Sequence, residues 1–107
     1  MKLDLLLHKV DVLDIIGDTN IKISNIQLDS RKISKGEMFI ALAGTQKSGD
    51  EFIKSAIKNG AKAIVCHNIP SNYHENITYI LVNDSNNALS IISNNFYDFP
   101  SKKIEIV

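Results

Sequence analysis

A single cysteine, a single arginine, no charge surplus of either sign and no long apolar run set the first limits on this chain. One cysteine, Cys66, excludes an internal disulfide framework and fits a reducing compartment, so a cytoplasmic location is expected. Twelve basic residues against twelve acidic ones leave no net charge and no basic stripe, which argues against nucleic acid or an anionic membrane as partner. No stretch approaches the roughly eighteen continuous apolar residues of a spanning helix. The N-terminus has no basic segment, apolar core and small-residue cleavage site in succession, so no secretory signal is read there. Phosphate-loop and dinucleotide fingerprints are missing as well. His8, His67 and His74 stand far apart with no second ligand at metal spacing, so no metal site is expected.

What remains is an ordinary globular composition, 44% hydrophobic and 22% charged over 107 residues, enough for one domain with one core. Lys2–Lys9, with Leu3, Leu6 and Leu7 on one face, predicts a short amphipathic helix. Val10–Ile16 reads as extended and ends at the Gly17-Asp18-Thr19-Asn20 turn. Ile21, Ile23 and Ile26 alternate with polar residues as in a half-buried strand. Ser48 and Glu51 match a capping box for a helix reaching about Asn59, with Phe52, Ile53, Ala56 and Ile57 inward and Gly60 as its stop. Residues 61–66 and 77–82 are strands, the first with a continuous apolar run suited to a sheet covered on both faces. Asp84 or Ser85 caps a helix carrying Ala88, Leu89, Ile92 and Phe96. Strand, helix, strand, helix, strand predicts a small single α/β domain with a mostly parallel sheet flanked by helices. Residues 103–107 read as the start of a further strand, which suggests a domain cut from a longer protein.

The stretch 26–46 organises the rest. Leu28, Phe39, Ile40, Ala41 and Leu42 are expected in the core, while Asp29-Ser30-Arg31 sets a carboxylate, a hydroxyl and a guanidinium at a strand end. Arg31 is the only arginine among twelve basic residues. Arginine and lysine differ most where a carboxylate or phosphate must be held in a plane. Two readings stand side by side: Asp29 and Arg31 brace a turn, or the group meets a ligand. Thr45, Gln46, Lys47 and Ser48 form the loop after the next strand. If the two strands are neighbours, both groups share one edge and offer hydroxyls, an amide and one or two cations to a polar, phosphorylated ligand. The alternative is a solvated loop leading into a helix. No nucleophile–base pair is present, so a binding module is expected rather than a complete enzyme.

These segments resemble a known family. Leu28-Asp29-Ser30-Arg31-Lys32, Gly36-Glu37-Met38-Phe39-Ile40-Ala41-Leu42, Gly44-Thr45-Gln46, Phe52-Ile53 and residues 56–65 are similar to the N-terminal domain of the Mur ligases. The similarity runs over essentially the whole chain. It is greatest to the diamino-acid-adding MurE branch. The MurF branch, which adds D-Ala-D-Ala, shares Asp-Ser-Arg and Gly-x-x-Phe, but the Gly44-Thr45-Gln46 loop favours MurE. The resemblance implies that residues 1–103 hold the UDP part of UDP-N-acetylmuramoyl-L-alanyl-D-glutamate and that 104–107 begin a central ATPase domain. ATP and Mg2+ would bind outside this stretch, which would carry no catalytic residue. The complete ligase would activate the substrate's terminal carboxylate as an acyl phosphate, which the amine of meso-diaminopimelate or lysine then attacks. Contacts to UDP are implied for Leu28, Ser30 and Arg31, and for Thr45, Gln46 and Lys47. One departure stands out: Asp50 occupies a place where the family usually has histidine. A rival of another class is an interaction module that keeps the fold without the ligand.

Overall fold

The computed structural model describes residues 2–41, 49–67 and 74–97, with the side chains of 49–51 excepted. The elements are α1 (Leu3–Leu6), β1 (Val12–Ile16), β2 (Ile26–Gln27), a 3-10 turn (Ser30–Lys32), β3 (Met38–Ile40), α2 (Gly49–Asn59), β4 (Ala63–Cys66), β5 (Thr78–Val82) and α3 (Ser85–Tyr97). Five strands form one sheet in the order β1-β5-β4-β3-β2. β2 through β5 run parallel, and β1 closes the far edge antiparallel to β5. The mostly parallel α/β domain expected from the sequence is therefore present.

Alternation along the buried strands sorts their side chains between two apolar layers, as the two-residue period of a strand requires. Met38, Ile40, Ala63, Val65, Ile80 and Val82 face Leu3 and Leu6 of α1 and Ala88 and Ile92 of α3. Phe39, Ile64, Cys66 and Tyr79 face Ile53 and Ala56 of α2, together with Ile33. The apolar run in β4 is buried at all four residues because helices cover both faces. Both long helices use the faces read from the sequence. Asp84 caps α3, its Oδ1 accepting from Asn87 N–H at 3.1 Å. The Ser48 cap lies outside the described residues.

Three expectations need correction. The N-terminal helix is four residues long, not eight: Lys9 takes φ +69 and turns the chain toward β1. Leu3 and Leu6 are nonetheless fully buried, and Asn95 of α3 donates from Nδ2 to the carbonyls of Leu6 and His8, both at 2.8 Å. The strand expected from Ile21 reduces to Ile26–Gln27. Ile23 enters the core as the alternation requires, but Lys22 makes only an isolated bridge with Lys2, and Ser24 N–H donates to Gly36 O. Leu28, expected in the core, is 45% exposed, because β2 ends at Gln27 and Leu28 falls on the bend beyond the ladder.

Candidate functional site

The site begins with the pairing of β2 and β3. Ile26 lies opposite Met38 and Gln27 opposite Phe39, in parallel. The carboxyl ends of the two strands therefore lie at the same edge of the sheet, the edge where open α/β sheets take their ligands. The condition for a shared site, that these strands be neighbours, is met. Thr45, Gln46 and Lys47 lie outside the described residues.

Leaving β2, the chain is folded back by its own polar side chains. Gln27 Oε1 accepts from the backbone N–H groups of Leu28 at 3.1 Å and Asp29 at 3.3 Å. Asp29 caps the 3-10 turn: its Oδ1 accepts from Arg31 N–H at 3.0 Å, and its carbonyl accepts from Lys32 N–H at 3.0 Å. The Arg31 guanidinium lies over the same carboxylate, Nε to Oδ1 at 3.3 Å and Nη2 to Oδ2 at 3.4 Å. These forked contacts are longer than the roughly 2.7–2.9 Å of a tight charge-assisted bond. The Arg31 side chain is 85% exposed, so the ion pair orients the guanidinium more than it stabilises the fold. The turn-bracing reading of Asp29 and Arg31 is thus correct, and it leaves the remaining guanidinium N–H groups for other acceptors.

Ser30 is buried between them at 3% exposure, and its carbonyl accepts from Asn59 Nδ2 on the last residue of α2 at 2.9 Å. The structure therefore brings together an exposed leucine, a held guanidinium and a buried serine within four residues. Sequence reading missed Gln27 and Asn59. Gln27 carried a local signal, an amide two residues before a capping aspartate; Asn59 carried none, since its partner is 29 residues away.

The bond from the Arg31 guanidinium, then that from its backbone N–H, holds the Asp29 carboxyl below its ordinary value of 3.8. A lowered carboxyl value means that its contribution to the turn is complete above pH 3.8 and is lost as the pH falls through the lowered value. A carbon-detected NMR titration should give Asp29 a midpoint below 3.8, and Arg31→Ala should move it upward. An unchanged midpoint in that variant would show that the guanidinium does not act on the carboxylate.

The turn has the makings of a binder: an apolar surface beside a fixed cation, without a nucleophile and base in contact. Among the described residues no group of three His, Cys, Asp or Glu side chains is placed to hold a metal ion.

The fold is a small, mostly parallel open α/β sheet with a polar turn leaving the carboxyl end of β2, the kind of edge at which such sheets take ligands. A family model described as Mur ligase family, catalytic domain, matches residues 22–97. The chain belongs to the Mur ligase family. It is 42% identical over 107 residues to the UDP-N-acetylmuramoyl-L-alanyl-D-glutamate–2,6-diaminopimelate ligase of Phocaeicola vulgatus, covering 100% of this chain and 22% of that protein. It is 35% identical over 107 residues to the ligase of the same name from Clostridioides difficile, with the same coverage of each. The chain thus spans about a fifth of the length of the curated relatives it matches. Among solved structures, MurF from Acinetobacter baumannii superposes with a TM-score of 0.68 at 21% identity, over 88% of this chain and 20% of that one. MurF ligase from Thermotoga maritima in complex with ADP gives a TM-score of 0.54 at 28% identity, over 65% and 16%.

Proposed function

We propose that this chain is the N-terminal, nucleotide-holding domain of a diaminopimelate-adding Mur ligase, and that it binds the UDP moiety of UDP-N-acetylmuramoyl-L-alanyl-D-glutamate. The observation that carries this reading is end-to-end similarity, 35–42% identity over 107 residues, to ligases whose names specify that substrate and 2,6-diaminopimelate. The MurF reading draws on the Acinetobacter baumannii superposition, which at 21% identity speaks for the fold alone.

Leu28 offers an apolar surface for the uracil ring, and Arg31 a planar cation for the diphosphate. Ser30 offers its hydroxyl or amide, and Thr45, Gln46 and Lys47 complete the grip from the loop after β3. Asp50, at the start of α2, replaces the histidine usual in the family and so carries a negative charge in place of a possible cation. Residues beyond this chain bind ATP and Mg2+, activate the carboxylate and form the amide; residues 104–107 lead into that part. The working compartment is the cytoplasm. Among the described residues no helix is long and apolar enough to cross a membrane.

Titrating isotope-labelled protein with UDP tests the reading. Amide shifts should concentrate at 28–31 and 44–48. Ser30→Ala should weaken UDP by about twofold to tenfold, the value of one hydrogen bond. The fold should persist, because the Ser30 carbonyl still accepts from Asn59. Shifts elsewhere would defeat the site, and no response to UDP would favour the interaction-module reading.

A further inference from the structure

We propose that Asn59 is a positioning residue for nucleotide binding, holding the Ser30–Lys32 turn from α2 without touching the ligand. This rests on the nucleotide site proposed above. Asn59 Nδ2 donates to Ser30 O at 2.9 Å, and one residue later Gly60 O accepts from Gly36 N–H at 2.9 Å. The end of α2 therefore grips the segment between β2 and β3 at two points, one in its polar turn and one beyond it.

The other polar braces on the turn are local, from Gln27 to Leu28 and Asp29 and from Asp29 to Arg31. Ile33, just past the turn, packs in the layer under α2 and gives it one reference against the helix. Asn59 supplies a second. It is an exposed residue that contributes nothing to the apolar layers, so its amide is not needed to fill the core. Its hydrogen bond fixes the Ser30 carbonyl, and through it the direction of the Ser30 side chain and the Arg31 peptide. A group held from a regular helix is placed more tightly than one held by its own loop.

The fold has a matched control on the opposite face. Asn95 also reaches from a helix to backbone carbonyls, those of Leu6 and His8, and packs α1 far from the turn in sequence and on the other layer. Removing Asn95 costs the fold two such bonds and removing Asn59 one, and only Asn59 touches the turn.

The test measures the UDP dissociation constant of the 107-residue protein and its Asn59→Ala, Asn59→Gln and Asn95→Ala variants, with a thermal melt of each. Asn59→Ala should bind UDP about twofold to fivefold more weakly, the share of one partly exposed hydrogen bond. Asn59→Gln, which keeps the donor, should recover part of the loss, and Asn95→Ala should lower the melting midpoint and leave UDP affinity as it was. If Asn59→Ala does not fold, Asn59→Leu, close in shape and without donor or charge, takes its place with the same expected loss. Equal affinities for wild type and Asn59→Ala, or equal losses in Asn59→Ala and Asn95→Ala, would overturn the positioning role while leaving the site intact. No UDP binding by the wild type would instead overturn the site, and this inference with it.

Discussion

Replacing Gly60 with alanine is expected to cost about 3 kcal/mol or more, lowering the melting midpoint of a domain this size by about 12–20 °C. Two independent effects add. Gly60 sits at φ +115, a backbone conformation that L side chains rarely adopt. A Cβ there would lie 2.7 Å from Lys35 Cα and 3.0 Å from Lys35 N, backbone atoms that cannot rotate aside. The position is the left-handed residue of a Schellman close: Ala61 N–H donates to Ala56 O at 3.0 Å, and Gly60 N–H to Ile57 O at 3.1 Å. Moving the chain to make room would also strain the bond from Gly36 N–H to Gly60 O. Gly36→Ala is the comparison. It shares a positive φ, +85, but its Cβ would first meet the Ser24 hydroxyl at 3.4 Å, so it should lose only the conformational share, about 1 kcal/mol. Thermal melts of the two variants decide the matter, and near-equal midpoints would show that the approach to Lys35 is not what requires glycine at 60.

Much of this architecture can be read from the chain because burial and period agree. The faces of α2 and α3 follow from Ile53/Ala56 and Ala88/Ile92 at helical spacing, and the two-sided burial of β4 from Ala63-Ile64-Val65-Cys66. Gly60 announces its own role as a stop. What the chain hides is long-range. Ile21 and Ile23 carry a strand's alternation, and Ile23 is buried accordingly, yet the backbone there finds partners in Gly36 and Lys2 instead of a ladder. Periodicity reports which side chains face inward, not which backbone groups pair. β1 is first in sequence and lands at the far edge beside β5, antiparallel, a placement set by packing against a strand some sixty residues away. In the turn, Asp29-Ser30-Arg31 declares itself through the single arginine and a capping aspartate, whereas the Asn59 tie depends on the finished fold. Leu28 is legible as apolar but not as exposed, because its fate turns on where β2 ends, one residue earlier.

Tyr79→Ala is expected to remove about 3–5 kcal/mol, a large part of the roughly 5–15 kcal/mol that holds a domain of this kind together. Tyr79 heads the largest fully buried side chains and stands in the layer beneath α2 with Ile64, Ile53 and Ala56. Truncation leaves a cavity in that layer and takes the acceptor from His74 N–H, which donates to the Tyr79 hydroxyl at 2.9 Å. Tyr79→Phe keeps the ring and should cost only about 1 kcal/mol at neutral pH. The two proteins should differ again in alkali. Burial pushes the Tyr79 phenol above its ordinary value of 10.0, and the hydrogen bond from His74 only partly offsets that. In the unfolded chain the same phenol ionises near 10.0, so the folded state is the one that keeps its proton. The phenol's contribution is then complete below 10.0 and drains away as the pH rises through the raised value, in wild type but not in Tyr79→Phe. Urea melts at neutral and alkaline pH should show the wild type's small advantage shrinking and then reversing. A constant gap would mean that the phenol ionises as readily inside as out. Since α2 rests on this layer and reaches Ser30 through Asn59, a cavity at Tyr79 should also loosen the turn proposed to hold the nucleotide. Tyr79→Ala should therefore lose UDP affinity along with stability, whereas Tyr79→Phe should retain it.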